Sequence, residues 1–380
     1  MSDSSSSIST TTRAVVMTKP GKYEDALEVY DIDLKQAKDD QIVVEMLFAS
    51  VNPSDTLRIQ GIYPTNAGKT DLTVITDSEI KTVNGNILGF EGVGRVIEKG
   101  KLATNAINDT IELGDWVIPL DFSSYGSWST KLILNPSSVV VVKNKAGLTP
   151  EAICSTKVNA LTAYRMLLDI VKLEKGDYVI QNGANSGAGQ YLIQFARIFG
   201  YKTINVIRDR SNYDETVSFL KDLGADIVLK DTDLTKKETF EYLSSLDGKI
   251  KLAINCIGGK ASEALATHLT AGGTMATYGA ITLDVVSLPA PLFIFKDIRL
   301  QGYWLNSFFA KNTPKQWMET WDHIFDLLRT GQVKAQVTKY IDMFESENGK
   351  DVIVGIDQFK SKVIDSVNSS VKVGFRFSKY

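Results

Sequence analysis

Three glycines between a strand-like run and a helix-like run give the strongest local sign of chemistry in the chain. In YVIQNGANSGAGQYLIQFARIFG, Gly183, Gly187 and Gly189 separate the two patterns. Glycine lets the backbone turn tightly and approach a diphosphate, which then lies at the N-terminus of the following helix. The spacing is not the usual G-x-G-x-x-G, so a plain turn remains the alternative. We interpret the turn as phosphate-binding and expect four residues to contact the ligand: Asn185, Ser186, Gly187 and Ala188.

The next strand-like run ends in NVIRDR and predicts which nucleotide is bound. At this strand tip a dinucleotide fold meets the adenosine ribose, and a lone acidic residue there favours NAD. Here Asp209 is flanked by Arg208 and Arg210. Guanidinium groups bind phosphate through paired, charge-assisted hydrogen bonds. The pattern therefore predicts NADPH rather than NADH, and two solvated arginines on an exposed loop are the alternative.

A tyrosine in the segment QGIYP is held by rigid neighbours on both sides. Asn52–Asp55 is typical of a turn that leads into a capped helix, and the helix-like TLRIQ ends at Gly61. Pro64 favours an extended conformation for Tyr63. A preorganised hydroxyl of this kind suits a catalytic donor, whereas a simple packing role is the alternative.

Composition limits the classes of protein that could carry these residues. The chain has 380 residues, enough for two domains, with 43% hydrophobic and 23% charged residues and a net charge of −3. The sequence shows no basic stripe and no apolar run of membrane-spanning length, so we expect neither nucleic acid nor a membrane span. Two cysteines and two histidines, far apart, exclude a disulfide framework and predict that no metal is bound. The Ser- and Thr-rich residues 1–12 are interpreted as a disordered tail, and a weak targeting presequence is the alternative.

The remaining pattern predicts an α/β protein. Short β-like runs from Arg13 to about Leu134 indicate a β-rich unit. From Pro150 to Trp304 strand and helix patterns alternate, which predicts a doubly wound parallel sheet with crossover helices. A helix is predicted over Trp317–Leu328 and a last strand over Val371–Phe377. We therefore expect a nucleotide-binding domain inserted into a β-rich domain that the C-terminal segment rejoins.

Taken together, these motifs resemble the medium-chain dehydrogenase/reductase superfamily, and within it the fungal mitochondrial 2-enoyl thioester reductases. The resemblance rests on VNPSDTLRIQGIYP, GFEGVG, VNALTAY, IQNGANSGAG, VIRDR and FIFKDIRLQGYW. It implies a GroES-like catalytic domain over residues 13–160 and 306–380. It also implies a Rossmann-type NADPH-binding domain over residues 161–305.

The resemblance also implies roles for individual residues. Tyr63 matches the tyrosine that is the proposed proton donor in that family. Phe295 lies in the segment that lines the nicotinamide and acyl pocket. The positions that match cofactor-contacting residues are Asn159, Tyr278, Gly279, Ala280, Ile281, Tyr303, Trp304, Leu305 and Lys372. From the residues alone, Asn159 reads equally well as a polar residue at a helix boundary, and the aromatic residues as core.

One position departs from the pattern. Zinc-dependent members of the superfamily carry histidine, and the enoyl reductases usually carry asparagine, where this chain has Phe90. The implied function is NADPH-dependent reduction of trans-2-enoyl thioesters, on acyl carrier protein or coenzyme A, by a mitochondrial homodimer in fatty acid synthesis. A zinc-free quinone or enone reductase and a non-catalytic NADPH-binding protein are the alternatives, and the cytoplasm is the alternative location.

Overall fold

The computed structural model describes residues 11–64, 68–120 and 126–380. They form two compact units. The first comprises the described residues of Met1–Lys157 together with Val337–Tyr380, and the second is Val158–Gln336. Each unit has its own sheets and its own apolar core.

The first unit is rich in short, mostly antiparallel strands. Its strands are β1 (Thr11–Met17), β2 (Leu27–Asp33), β3 (Ile42–Ser50), β4 (Thr70–Ile75), β5 (Ile80–Ile87), β6 (Gly92–Lys99), β7 (Trp116–Pro119), β8 (Lys131–Leu134), β9 (Val139–Val142), β16 (Lys339–Asp342), β17 (Phe344–Glu347), β18 (Lys350–Ile353) and β19 (Val373–Arg376). Four of them close a barrel, β1-β2-β4-β5. A seven-stranded sheet runs β16-β19-β3-β6-β7-β9 with β8 paired to β3, and β17 and β18 form a hairpin.

Among the described residues of this unit, four α-helices accompany the strands: α1 (Tyr23–Ala26), α2 (Pro53–Ile59), α3 (Pro150–Cys154) and α12 (Ile356–Val367). The core between sheet and helices is apolar and mostly aliphatic, and three of its aromatic residues, Trp128, Phe359 and Phe375, are fully buried. Trp128 meets Phe375 edge-on at 5.3 Å, which joins the early strands to the last one. The expected β-rich domain completed by the C-terminal segment is confirmed.

The second unit is a doubly wound sheet. Its strands are β10 (Tyr178–Asn182), β11 (Lys202–Ile207), β12 (Ile227–Lys230), β13 (Ile250–Asn255), β14 (Thr274–Thr277) and β15 (Arg299–Gly302), in the order β12-β11-β10-β13-β14-β15 and all parallel. Its helices are α4 (Leu161–Asp169), α5 (Gly187–Phe199), α6 (Tyr213–Asp222), α7 (Lys237–Ser244), α8 (Gly259–Thr267), α9 (Ala290–Lys296), α10 (Leu305–Lys311) and α11 (Pro314–Arg329). Separate apolar clusters cover the sheet, one built with α7 and α8 and one with α5 and α6. The chain order reverses between β10 and β13, where such sheets bind dinucleotides.

The observed boundaries differ from those expected at three places. Thr11 and Thr12 belong to β1, and Thr12 is fully buried, so only residues 1–10 of the expected tail fall outside the described residues. The second unit begins at Val158 and continues to Gln336 instead of ending at 305. The extension follows because α11 packs on α4: the Tyr164 hydroxyl lies 2.7 Å from His323 Nδ1. Gln194 of α5 also donates to the carbonyl of Lys334 at 3.0 Å.

Candidate functional site

Tyr63 follows a short helix with strong local signals at both ends. Pro53 occupies the first turn of α2, and the backbone N–H of Asn52 donates to the Asp55 carboxylate at 2.9 Å. Gly61 ends the helix with φ +77°, as predicted for a glycine after the C-cap. The backbone N–H of Tyr63 then donates to the carbonyl of Leu57 at 3.1 Å. The tyrosine is therefore fixed by backbone bonds, and its side chain is half-buried.

Phe90, the residue that departs from the family pattern, packs directly against Tyr63. The two ring centroids are 5.5 Å apart and the rings are tilted by 47°. The guanidinium of Arg58 lies 5.1 Å from the Phe90 ring centroid, close enough for a cation–π contact. Phe90 and Arg58 are both buried, each 5% exposed. Burial lowers the pKa of Arg58, and Asp55 opposes this shift.

Behind this aromatic contact lies a buried cluster of charged and amide side chains in the first unit. The Asn52 side chain donates to Glu91 Oε2 at 2.9 Å and accepts from the Lys372 amine. The Lys372 amine also donates to the carbonyl of Val51 at 2.7 Å. Burial lowers the pKa of Lys372, while Glu91 and Asp55 oppose this shift. The structure thus engages Lys372 within this cluster, and the cofactor contact that the resemblance implies for it stays a prediction.

The glycine turn of the second unit has the close backbone approach that a phosphate loop requires. Gly183 has φ +60°, and a Cβ on it would stand 2.7 Å from Cys256 Sγ. A Cβ on Gly189 would stand 2.5 Å from the carbonyl oxygen of Ala184. Ser186 caps α5 by accepting the backbone N–H of Gly189 at 3.2 Å. The predicted strand–turn–helix arrangement of Asn185, Ser186, Gly187 and Ala188 is therefore present at the N-terminus of α5.

Arg208, Asp209 and Arg210 follow the end of β11 directly and are exposed. The Asp209 carboxylate is ion-paired with Lys230 at 3.0 Å, and its backbone N–H donates to Asp231 at 3.2 Å. Asp209 is therefore already engaged with a cation.

The charge of Arg208 acts on a neighbouring buried thiol. Burial raises the pKa of Cys256 to about 11, and the charge of Arg208 opposes this shift.

Buried amides join the carboxyl ends of the neighbouring strands. Asn182 of β10 donates to Asn255 of β13 at 2.8 Å, and Asn255 donates to Thr277 of β14 at 3.1 Å. Gln181 donates to Asn205 of β11 at 2.8 Å and to the carbonyl of Gly189 at 3.2 Å. The sequence analysis did not predict this network of side-chain hydrogen bonds. The polar residues at the ends of two apolar strand-like runs, VIQN and LAIN, could have indicated it.

The residues after β14 approach the glycine turn. The Tyr278 hydroxyl is within hydrogen-bonding reach of Cys256 and Ser186, and burial raises the pKa of Tyr278 well above its usual range. A Cβ on Gly279 would stand 3.3 Å from the Cβ of Cys256, so the chain lies close to β13 there. Ala280 is half-buried and Ile281 is exposed. The structure therefore brings the start of the predicted Tyr278–Ile281 segment to the loop.

Asn159 lies beside the same turn. It belongs to a π-helical turn, Thr156–Ala160, a distortion often found at functional sites. A Cβ built on Gly187 would stand 3.1 Å from Asn159 Cγ and would collide with Gln336 Oε1. Asn159 is therefore adjacent to the α5 N-terminus, a contact between residues 28 positions apart that sequence spacing could not reveal.

The aromatic segment further along the chain is more exposed than a core assignment would require. Phe295 is 79% exposed and Trp304 48% exposed, whereas Leu305 is buried. Tyr303 is half-buried, and burial raises the pKa of its phenol, with Asp169 adding to the shift. These residues lie around β15, the last strand of the sheet, and not at the glycine turn.

Neither a metal-binding cluster nor a membrane-spanning helix occurs among the described residues. No group of three or more His, Cys, Asp or Glu side chains among them could hold a metal ion. None of the helices in the described part of the chain has the length and apolar character to cross a bilayer.

A parallel sheet in this strand order, with a glycine turn leading into the helix after its central strand, defines the class of dinucleotide-dependent dehydrogenases and reductases. The second unit fits such a cofactor, because the turn carries three glycines at which a Cβ would collide with neighbouring atoms, and two exposed arginines follow the adjacent strand. Residues 187–326 accordingly match the family described as zinc-binding dehydrogenase.

Similar proteins of known name identify one family within this class of dehydrogenases and reductases. The chain is 37% identical over 323 residues to the mitochondrial enoyl-[acyl-carrier-protein] reductase of Rattus norvegicus, covering 85% of this chain and 80% of the relative. It is 32% identical over 363 residues to the enzyme of that name from Yarrowia lipolytica, covering 95% and 90%. The chain therefore belongs to the mitochondrial enoyl-[acyl-carrier-protein] reductase family, within the medium-chain dehydrogenase/reductase superfamily.

Solved structures agree with this placement. The complex of Etr1p with NADP and crotonyl-CoA matches with a TM-score of 0.84 at 30% identity, covering 97% of this chain and all of that one. The Etr1p/Etr2p heterodimer of mitochondrial 2-enoyl thioester reductase from Candida tropicalis matches with the same TM-score, 0.84, and 30% identity over 97% of this chain. An NADPH:quinone reductase from Bacillus thuringiensis, at 24% identity and TM-score 0.76, shows the shared fold alone.

Proposed function

We propose that the chain is an NADPH-dependent trans-2-enoyl thioester reductase, with Tyr63 as its proton donor. The observation that carries the proposal is the placement of Tyr63 just after α2, with its backbone bonded to Leu57 and its ring packed on Phe90, in a chain that belongs to the enoyl reductase family. The acyl group would be carried by acyl carrier protein or coenzyme A, the two carriers that the relatives' names include.

The cofactor residues proposed for the second unit form two groups, one for the diphosphate and one for the 2′-phosphate. The N-terminus of α5, with Ser186, Gly187 and Ala188, would hold the diphosphate, because its backbone N–H groups and helix dipole favour an anion. Arg208 and Arg210 would hold the 2′-phosphate. Bound NADPH supplies the hydride that reduces the β-carbon of the enoyl thioester.

The remaining chemistry falls to Tyr63. As the β-carbon accepts a hydride, negative charge develops on the thioester oxygen as an enolate, and the α-carbon must then receive a proton. A tyrosine hydroxyl, with a reference pKa near 10, stays protonated at neutral pH and can donate both a hydrogen bond and that proton. The phenolate regains its proton from solvent, which completes the saturated acyl thioester. General acid catalysis of this kind contributes about 10²- to 10⁴-fold to the rate.

The test is NADPH oxidation with trans-2-hexenoyl-CoA, comparing wild type, Tyr63→Phe and Tyr23→Phe. Tyr63→Phe should lower kcat by at least about a hundredfold and leave the NADPH Kd within about twofold. Tyr23→Phe is the matched control, because the Tyr23 hydroxyl also contacts α2, through Gln60 at 3.0 Å. Wild-type turnover with a quinone but not with the thioester would reject the proposal in favour of a quinone or enone reductase. NADPH binding without turnover of either substrate would indicate a non-catalytic protein.

We also infer that two copies of the chain pair through the second unit. The end strand β15 is exposed along its whole length, and α9 next to it exposes Phe293, Ile294 and Phe295. An edge strand beside apolar side chains is a template for a second copy.

By family, the compartment is the mitochondrion, with the cytoplasm as the alternative. Fractionation of cells that express the chain would distinguish the two.

A further inference from the structure

The carboxylate of Asp55 connects two separate segments of the first unit. Its side chain is buried, with the residue 1% exposed. One oxygen accepts the backbone N–H of Asn52 at 2.9 Å and the other accepts the backbone N–H of Phe90 at 3.1 Å. A single carboxylate therefore ties the start of α2 to the residue two positions before β6.

Both of these segments are connected to Tyr63: α2 precedes it in the chain, and Phe90 contacts its ring. Along α2, the backbone bonds of Ile62 and Tyr63 to the carbonyl of Leu57 fix the backbone of Tyr63 relative to the helix. Across the gap between segments, the Phe90 ring packs on the Tyr63 ring at 5.5 Å. Because Asp55 holds the backbone of Phe90, a shift of the carboxylate would move the surface on which the phenol rests.

We propose that Asp55 is a positioning residue for Tyr63, acting through the Phe90 backbone and ring on one side and through the start of α2 on the other. This inference rests on the proposed function, since it concerns the same proton donor. It also gives Phe90 a role: where the family usually has asparagine, this chain supports the tyrosine with an aromatic surface.

The charged neighbours of Asp55 make this support sensitive to pH. Arg58 faces it from α2, Glu91 from the segment before β6, and Lys372 from the segment before β19. Burial raises the pKa of Asp55 to about 7, an effect that Lys372 opposes and Glu91 increases. Protonation leaves one strong acceptor oxygen in place of two, so one of the two backbone bonds weakens as the pH falls through neutrality.

A double-mutant cycle in kcat tests the proposal, using Asp55→Asn, Tyr63→Phe and both together. Asp55→Asn imitates the protonated carboxyl and should lower kcat about tenfold in the wild-type background but less than about twofold in the Tyr63→Phe background. The NADPH Kd should stay unchanged in all four proteins. The acidic limb of the wild-type kcat profile near pH 7 should be absent in Asp55→Asn. Asp25→Asn, an exposed carboxyl in the first turn of α1, is the matched control and should change nothing.

A second variant covers the case in which Asp55→Asn does not fold. Phe90→Leu keeps the backbone bond to Asp55 and an apolar side chain but removes the ring, and it should show the same dependence on Tyr63. Equal losses of kcat in both backgrounds, for every variant that folds, would overturn the positioning role and leave the proposed function intact. Full activity of Tyr63→Phe by itself would instead overturn the donor assignment, and the positioning role with it.

Discussion

Replacing Arg208 and Arg210 by alanine should weaken NADPH binding and leave NADH binding unchanged. Both side chains are exposed and follow β11, at the position that meets the adenosine ribose in this class of sheet. NADH lacks the 2′-phosphate, so it has nothing to lose when the guanidinium groups are removed. The Asp209 carboxylate should change the binding of NADPH or NADH little, because it is ion-paired with Lys230 at 3.0 Å.

The magnitude follows from the exposure of the two arginines. Hydrogen bonds to charged groups contribute about 1.5–3 kcal/mol, and solvent exposure places these two at the lower end. About 1.4 kcal/mol for each arginine is a tenfold change in Kd. The double variant should therefore raise the NADPH Kd roughly a hundredfold if the two effects add.

The assay is the Kd of both cofactors, measured by titration at low and at high salt. The loss on mutation should shrink at high salt, because exposed charges are screened. Lys237→Ala is the matched control: it removes an exposed cation from the same unit, with 84% of its side chain accessible. An NADPH-to-NADH ratio that stays within about twofold of wild type in the double variant would refute the phosphate-binding role of these arginines.

Three further predictions concern the glycine turn, the buried carboxyl and the edge strand. Gly187→Ala should weaken NADPH binding at least about tenfold by calorimetry, because its Cβ would stand 2.9 Å from Gln336 Cδ, at the N-terminus of α5. Unchanged binding would contradict the diphosphate-binding role of this helix N-terminus. The pKa of Asp55 is about 7 folded against 3.8 unfolded, so its contribution to stability is present at low pH and lost as pH rises. The unfolding free energy of wild type should therefore fall relative to Asp55→Asn between pH 5 and 7, by at most about 1.4 kcal/mol per pH unit, and a rise would reverse the assignment. Phe295→Glu should produce a monomer by light scattering while Ile80→Glu, an exposed apolar position of the first unit, should not.

Local signals predicted the glycine turn and the tyrosine turn well. The strand before Gly183, the helix after it and the end of α2 at Gly61 each depend on residues within one turn of each other. Their geometry follows from propensity and from glycine's access to positive φ, which the sequence displays directly. The parallel, doubly wound character of the sheet followed from the alternation of strands and helices, whereas the order of its strands came from the structure.

Non-local contacts could not be predicted in the same way. The cluster of Asn52, Glu91 and Lys372 joins residues 39 and 320 positions apart, and no spacing in the sequence indicates such a meeting. The pattern of α11 predicted an amphipathic helix but not which unit its apolar face would cover. The expected domain boundary at 305 therefore came too early, because the partner of that helix is α4.

The strand order of the first unit has a consequence for how the chain is made. β19 lies between β16 and β3, so a segment synthesised after the whole of the second unit completes a sheet in which β3 begins at residue 42. The second unit is continuous, Val158–Gln336, and needs nothing that follows it. On the ribosome, the nucleotide-binding unit can therefore fold before the tyrosine-bearing unit receives β19, the strand that joins β16 to β3. A premature stop before Val373 would leave a folded nucleotide-binding unit attached to an incomplete sheet.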